Sequence, residues 1–160
     1  MATETLLVSV VLERRIATSQ WADHLWLPVA VLPGDPDIAA GTRLGATETG
    51  ERFFAGSFAL DLHRTDTPTY RDNLASGDPR IWISLRPGSE AALPELVGLT
   101  ADPAEGEAFT EAGADIVEHV PMPVEIAAML AAFIQDHHVE RAFIKRKRRD
   151  WSAAEPDDQA

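Results

Sequence analysis

A single α+β domain, built on a mostly antiparallel, curved sheet of about six strands, is the fold this sequence predicts. Three observations lead there. Short apolar, β-branched runs recur too close together for the long crossovers that a parallel sheet needs. Residues 51–64 alternate apolar and polar with period two, as a strand with one buried face does. Residues 123–143, PVEIAAMLAAFIQDHHVERAF, repeat Ile126, Met129, Leu130, Phe133, Ile134 and His137 at helical spacing, so one long C-terminal helix should face inward and cover the sheet.

Each element has a local reason. TLLVSVVLERR (5–15) reads as the first strand. LWLPVAVL (25–32) is apolar on both faces, and Pro28, which cannot donate to a ladder, confines it to an edge or a bulge. PGDPDIAAG (33–41) is a loop of turn formers. In ERFFAGSFALDLHR (51–64), Phe54, Phe58, Leu60 and Leu62 should share one face, with Ala55, Ser57, Ala59, Asp61 and His63 on the other. TDTPTYRDNLASG (65–77) predicts a short helix capped by Thr67, with Pro68 in its first position and Gly77 at its exit.

RIWISLR (80–86) follows as a strand with Ile81, Ile83 and Leu85 inward, then ELVGLTA (95–101). In DPAEGEAFTEAG, Asp102 can cap a second short helix that Pro103 starts and Glu105 closes as a capping box. ADIVEHV (114–120) is a short strand, and Pro123 opens the long helix. With 160 residues the prior is one domain, assigned to 1–151, and 152–160 reads as a disordered acidic tail.

Composition narrows the function classes. An apolar share of 45% argues against intrinsic disorder, although 26 acidic against 14 basic side chains leave a net charge of −12. The absence of cysteine excludes disulfides, thiolate-bound iron–sulfur clusters, cysteine zinc sites and a sulfur relay through the chain's own thiol. No apolar run is long enough for a membrane span, and residues 1–12 lack the pattern of a signal peptide. A soluble, cytoplasmic protein with no membrane partner is expected.

Catalytic signatures are lacking. GTRLG, GDP and GSE match no phosphate loop, and Ser9, Ser57 and Ser84 fall inside strands rather than on a nucleophile elbow. His137 and His138 are adjacent, so on a helix they point about 100° apart and cannot chelate one metal together. Nothing in the spacing recruits His63 or His119 to them. The expectation is no enzyme, no cofactor and no metal. Trp21, Trp26 and Trp82 sit at strand edges and are assigned to the core. Tyr70, Arg71 and Asn73 on the first short helix form a candidate polar recognition spot.

The sharpest local feature is RAFIKRKRR (141–149). It holds six of the fourteen basic side chains, whereas residues 1–140 carry 22 acidic and 8 basic groups. Arg141, Lys145, Arg146, Lys147, Arg148 and Arg149, with Trp151 beside them, suit the acidic surface of a partner protein. The alternative use of the same stripe is a phosphate ligand or nucleic acid, but the acidic body and the missing stacking platform speak against a dedicated nucleic-acid binder.

Five strings in this order also resemble an uncharacterised bacterial family. They are LERRIATSQWADHLWLPVAVLPG (12–34), LDLHRTDTPTYRDNLASGDPRIWISLRP (60–87), LTADPAEGEAF (99–109), VEHVPMP (117–123) and HHVERAFIKRKRRDW (137–151). Genes of that family lie beside those of molybdenum-dependent formate dehydrogenases and their maturation factors. The resemblance implies a non-catalytic accessory protein, for assembly, docking or as a small subunit, whose partner is a dehydrogenase subunit or a maturation factor. It implies no catalytic residue.

Overall fold

The computed structural model describes residues 2–16, 24–88, 92–112 and 116–137. Four strands, β1 (Glu4–Ile16), β2 (His24–Pro33), β3 (Arg43–Ala46) and β4 (Gly50–Leu62), form one antiparallel sheet in the order β2-β1-β4-β3. Three more, β5 (Arg80–Arg86), β6 (Glu95–Thr100) and β7 (Ile116–Pro121), form a second in the order β6-β5-β7. Helix α1 (Thr67–Ala75) links the sheets, α2 (Pro103–Glu111) joins β6 to β7, and a third helix, α3, occupies residues 124–137. The antiparallel α+β character holds. The single sheet of about six strands does not, because β5 starts a new ladder after α1 instead of extending β4.

Both sheets feed one core. Leu6, Val8, Val10 and Leu12 of β1, Leu60 and Leu62 of β4, and Ile81, Ile83 and Leu85 of β5 meet Ile126, Leu130 and Phe133 of α3 there. Each such side chain stabilises the fold by about 2 kcal/mol on burial. The stripe on α3 is narrower than its sequence suggests, since Met129 is 39% exposed. Pro123 precedes the helix rather than opening it, and its carbonyl accepts from Ala127 N at 2.9 Å. Helix α1 begins at Thr67 itself, so the N-cap position falls on Asp66, whose side chain makes no capping hydrogen bond. Thr67 is buried and turns its hydroxyl back to Arg64 O at 3.2 Å. At α2 the expected cap residue is in place, with Asp102 accepting from Ala104 N at 2.9 Å, but the capping box is not closed by Glu105, because Asp102 N donates to Thr100 Oγ1 at 3.0 Å.

Two bulges flank the middle of β1. Opposite Val11 and Leu12, strand β2 runs from Ala30 to Pro28 and skips Val29, so Pro28 sits on an edge strand and beside a bulge. Opposite Val10 and Val11, strand β4 runs from Gly56 to Phe54 and skips Ala55. An inserted residue inverts the alternation beyond it. Phe53, opposite Leu12, therefore packs against the core, while Phe54, opposite Val11, turns to the outer face and is buried there. The expected grouping of Phe54 with Phe58, Leu60 and Leu62 fails for this reason.

The outer faces are covered differently. Since β2 and β3 are opposite edges of their sheet, the 34–42 connection must cross β1 and β4. It does so over the outer face, where Ser9 Oγ donates to Gly34 O at 2.7 Å and Ser57 Oγ donates to Asp35 Oδ1. The second sheet is covered by α2. A Cβ on Gly106 would lie 2.3 Å from Trp82 Cγ, and one on Gly98 would lie 2.8 Å from Phe109 Cζ. Glycine at both positions is what lets helix and sheet approach.

Candidate functional site

The sequence-predicted recognition spot on α1 is two-thirds structural. Tyr70 is buried, with its ring 6.2 Å from that of Phe133, and its hydroxyl accepts from His63 N at 3.0 Å. Burial pushes the Tyr70 phenol up to about 12, only partly offset by that hydrogen bond. Asn73 is buried as well. Its amide donates to Arg80 O and Ala101 O at 2.8 and 2.9 Å and accepts from Arg80 N at 3.0 Å, pinning α1 to β5 and to the end of β6. Of the three, Arg71 alone is exposed. Arg141, Lys145, Arg146, Lys147, Arg148, Arg149 and Trp151 lie outside the described residues, as do Trp21 and His138.

A second group of charged residues, which the sequence reading passed over, assembles at one end of the four-stranded sheet. Strands β1 and β4 each carry a Glu-Arg pair, Glu13-Arg14 and Glu51-Arg52. Antiparallel pairing sets Glu13 opposite Arg52 and Arg14 opposite Glu51. Alternation then separates the two pairs onto opposite faces.

On the outer face the Glu13 side chain is fully buried. It accepts from Arg15 Nε, from Arg52 Nε at 3.2 Å, from Thr47 Oγ1 at 2.9 Å and from Thr49 Oγ1 at 3.0 Å. Burial alone would raise its pKa, but these four donors outweigh it and hold the carboxyl at about 2. A carboxylate so weakly basic and so fully bonded is a structural anchor, not a general base near neutrality.

On the inner face, Glu51 accepts from Arg43 Nε at 2.6 Å and Arg14 Nη2 at 3.1 Å, which lowers its pKa, the Arg43 bond most. The Arg14 guanidinium also lies 5.7 Å from the Trp26 ring and 5.1 Å from that of Phe53, themselves 5.4 Å apart. Trp26 is buried and its Nε1 has no hydrogen-bond partner. Trp82 stacks edge-on with His119 at 5.7 Å, so this histidine is held by an aromatic contact. Among the described residues no group of three or more His, Asp or Glu side chains is placed to hold a metal ion. No described helix is long and apolar enough to cross a membrane.

Fold and site together define a small α+β domain of two antiparallel sheets, in which the buried Glu13, Tyr70 and Asn73 are hydrogen-bonded within the scaffold. Residues 7–149 match the family described as "Protein of unknown function (DUF3305)", and the chain belongs to that family. No curated protein and no solved structure matches it.

Proposed function

We propose that this chain is a non-catalytic accessory protein of a molybdenum-dependent formate dehydrogenase system, acting in the cytoplasm in assembly, in docking or as a small subunit. Its contact is the basic stretch of Arg141, Lys145, Arg146, Lys147, Arg148 and Arg149 with Trp151, joined by the exposed Arg71. The partner is an acidic surface of a dehydrogenase subunit or of a maturation factor.

The observation that carries this reading is the segregation of charge. Six cations crowd into residues 141–149, against 22 acids and 8 bases in the 140 residues before them. That is more positive charge than a helix end needs to offset its dipole, and it suits a partner of opposite sign. The commitment of Glu13, Tyr70 and Asn73 to internal hydrogen bonds favours a scaffold role for the sheets. The resemblance to a family encoded beside the dehydrogenase genes points to the system.

The test is affinity purification of the tagged chain from its host grown with formate and molybdate. The dehydrogenase subunit or a maturation factor should co-purify, and replacing Lys145, Arg146, Lys147 and Arg148 with alanine should abolish it. Undiminished co-purification of the quadruple variant at physiological salt overturns the docking role of the stripe. Recovery of nucleic acid, lost steeply as salt rises, would establish the alternative use of the same residues.

A further inference from the structure

Charge is divided along the chain in blocks. Residues 1–86 carry 11 acids and 8 bases, residues 87–140 carry 11 acids and neither lysine nor arginine, and residues 141–149 carry six cations. The second block supplies β6, α2, β7 and α3. On α2 the imbalance works against the helix itself. Glu105, Glu107 and Glu111 are exposed there, as are Ala104 and Ala108 between them. Glu107 and Glu111 stand at i and i+4, where like charges repel, and the helix has no cation to offset them. Glu111 also lies in the last turn, at the negative end of the helix dipole, where a cation is the favourable residue. A carboxylate pair set against both rules marks a place where cations arrive from outside the helix.

The chain carries such cations within reach. The stretch 141–149 lies outside the described residues, but its reach follows from where α3 is described to end. The ring of His137 lies 4.4 Å from that of Phe133, which lies 6.2 Å from Tyr70. Tyr70 in turn feels the charges of Asp66, Asp102 and Glu105, the last two at the start of α2. Arg141 follows His137 by four residues and Arg149 by twelve, which confines them to about 14 and 42 Å from it, whatever path the chain takes. The nine-residue α2 is itself about 13 Å long.

We infer that the exposed face of α2 is an intramolecular seat for the chain's own basic stretch, where Lys145 and Lys147 are among the cations that pair with Glu105, Glu107 and Glu111. The tether selects this occupant over another molecule. A segment joined by a few residues competes at an effective concentration on the order of millimolar, whereas two copies of the chain, each at −12, repel one another. The exposed alanines leave room for the long aliphatic stems of the cations to lie along the helix. As regulation of docking, the contact rests on the function proposed above: an acidic partner must displace α2, and its affinity is reduced by the fraction of open chain.

Lys145 and Lys147 are the chain's two lysines, so zero-length carbodiimide coupling of lysine to carboxylate, mapped by mass spectrometry, reads the contact directly. In the intact chain, the product of monomer mass should join Lys145 or Lys147 to Glu105, Glu107 or Glu111, with a yield that falls as salt rises. Glu107→Gln/Glu111→Gln should lower the yield at Glu105 and tighten the binding of labelled polyglutamate about threefold or more. Asp37→Asn/Glu48→Gln, which removes the same charge beside the four-stranded sheet, should change neither. All four substituted residues are exposed, so the variants should fold, which thermal melting checks.

Lysine links confined to Glu155, Asp157 and Asp158, links to α2 found only in dimers, or no link to α2 at all each overturn the inference. Polyglutamate bound equally by the intact and Glu107→Gln/Glu111→Gln chains overturns it as well. If the α2 links form but polyglutamate binds none of the chains, the intramolecular contact stands and the docking role of the stretch falls instead.

Discussion

The two sheets of this domain secure themselves by opposite means. The three-stranded sheet is closed by apolar contact, with α2 pressed so tightly against it that only glycine fits at Gly106 over Trp82 and at Gly98 beneath Phe109. The four-stranded sheet is covered by a crossing loop, and its far end is fastened by charge, with Glu13 and Glu51 each gripping two arginines. Close packing is indifferent to salt and pH but intolerant of added volume. An ionic fastening tolerates changes of size at its exposed ends but depends on the protonation and presence of its carboxylate. The two halves of the molecule should therefore fail under different insults.

The harshest test of that contrast is Gly106→Val. Branched carbons placed where even a Cβ lies 2.3 Å from Trp82 must push α2 off the sheet, and the cost should be about 3 kcal/mol in urea unfolding. A loss below about 1 kcal/mol would mean that α2 does not rest on Trp82.

Next comes Glu13→Ala, at about 2 kcal/mol. Breaking a buried ion pair costs more than this in general, but Arg15 and Arg52 are exposed enough for water to receive them. Its pH dependence identifies the mechanism. The folded carboxyl sits at about 2 against 4.5 when unperturbed, so the protonated form is favoured by unfolding. The stability that Glu13 contributes is complete above 4.5 and is lost as pH falls toward 2. Urea midpoints measured across that window should fall more steeply for the native chain than for Glu13→Gln, whereas Gly106→Val should leave the slope unchanged.

A third measurement probes the core that the two halves share. Tyr70 is the chain's one tyrosine, so the tyrosinate absorbance of the folded protein reports it without ambiguity. It should ionise near 12 rather than 10, and its contribution to stability should vanish as pH rises from 10 through 12. Ionisation near 10 would place the ring in water. The smallest effect is Asp102→Ala, which removes the bond to Ala104 N that caps α2 and should cost about 1 kcal/mol by thermal unfolding. In the Gly106→Val chain the same substitution should cost less, because a displaced α2 has less to lose.

How much of this was legible depended on whether the signal was local. The strands near 5–15, 51–64 and 80–86, the cap at Asp102, and the apolar stripe of α3 each follow from spacing within one segment, and each is present. The alternation within β4 alone puts Phe54 on the wrong face, because the skipped Ala55 depends on how β4 aligns with β1. The four-residue β3 offers too short a run to announce itself and exists by pairing with β4. Burial of Tyr70 and Asn73 beside the exposed Arg71 is not legible in the sequence, because a short helix with a weak apolar pattern does not reveal which side is covered. A signal for the charged end was available in the repeated Glu-Arg of LERR and GERF, which pair crosswise once the strands run antiparallel, but it becomes visible only when β1 and β4 are known to be partners.

By itself, then, the sequence determined the period of each segment, the helix caps, the absence of thiol chemistry and the crowding of six cations into residues 141–149. These are properties of neighbours along the chain, fixed by backbone sterics and composition. Tertiary structure decided which strands share a sheet, where a bulge inverts a face, that Gly106 of α2 meets Trp82 while Gly98 of β6 lies under Phe109, and that Glu13 and Glu51 each collect two arginines. Those outcomes depend on pairings between residues tens of positions apart, and on the burial that follows once one sheet is laid against another.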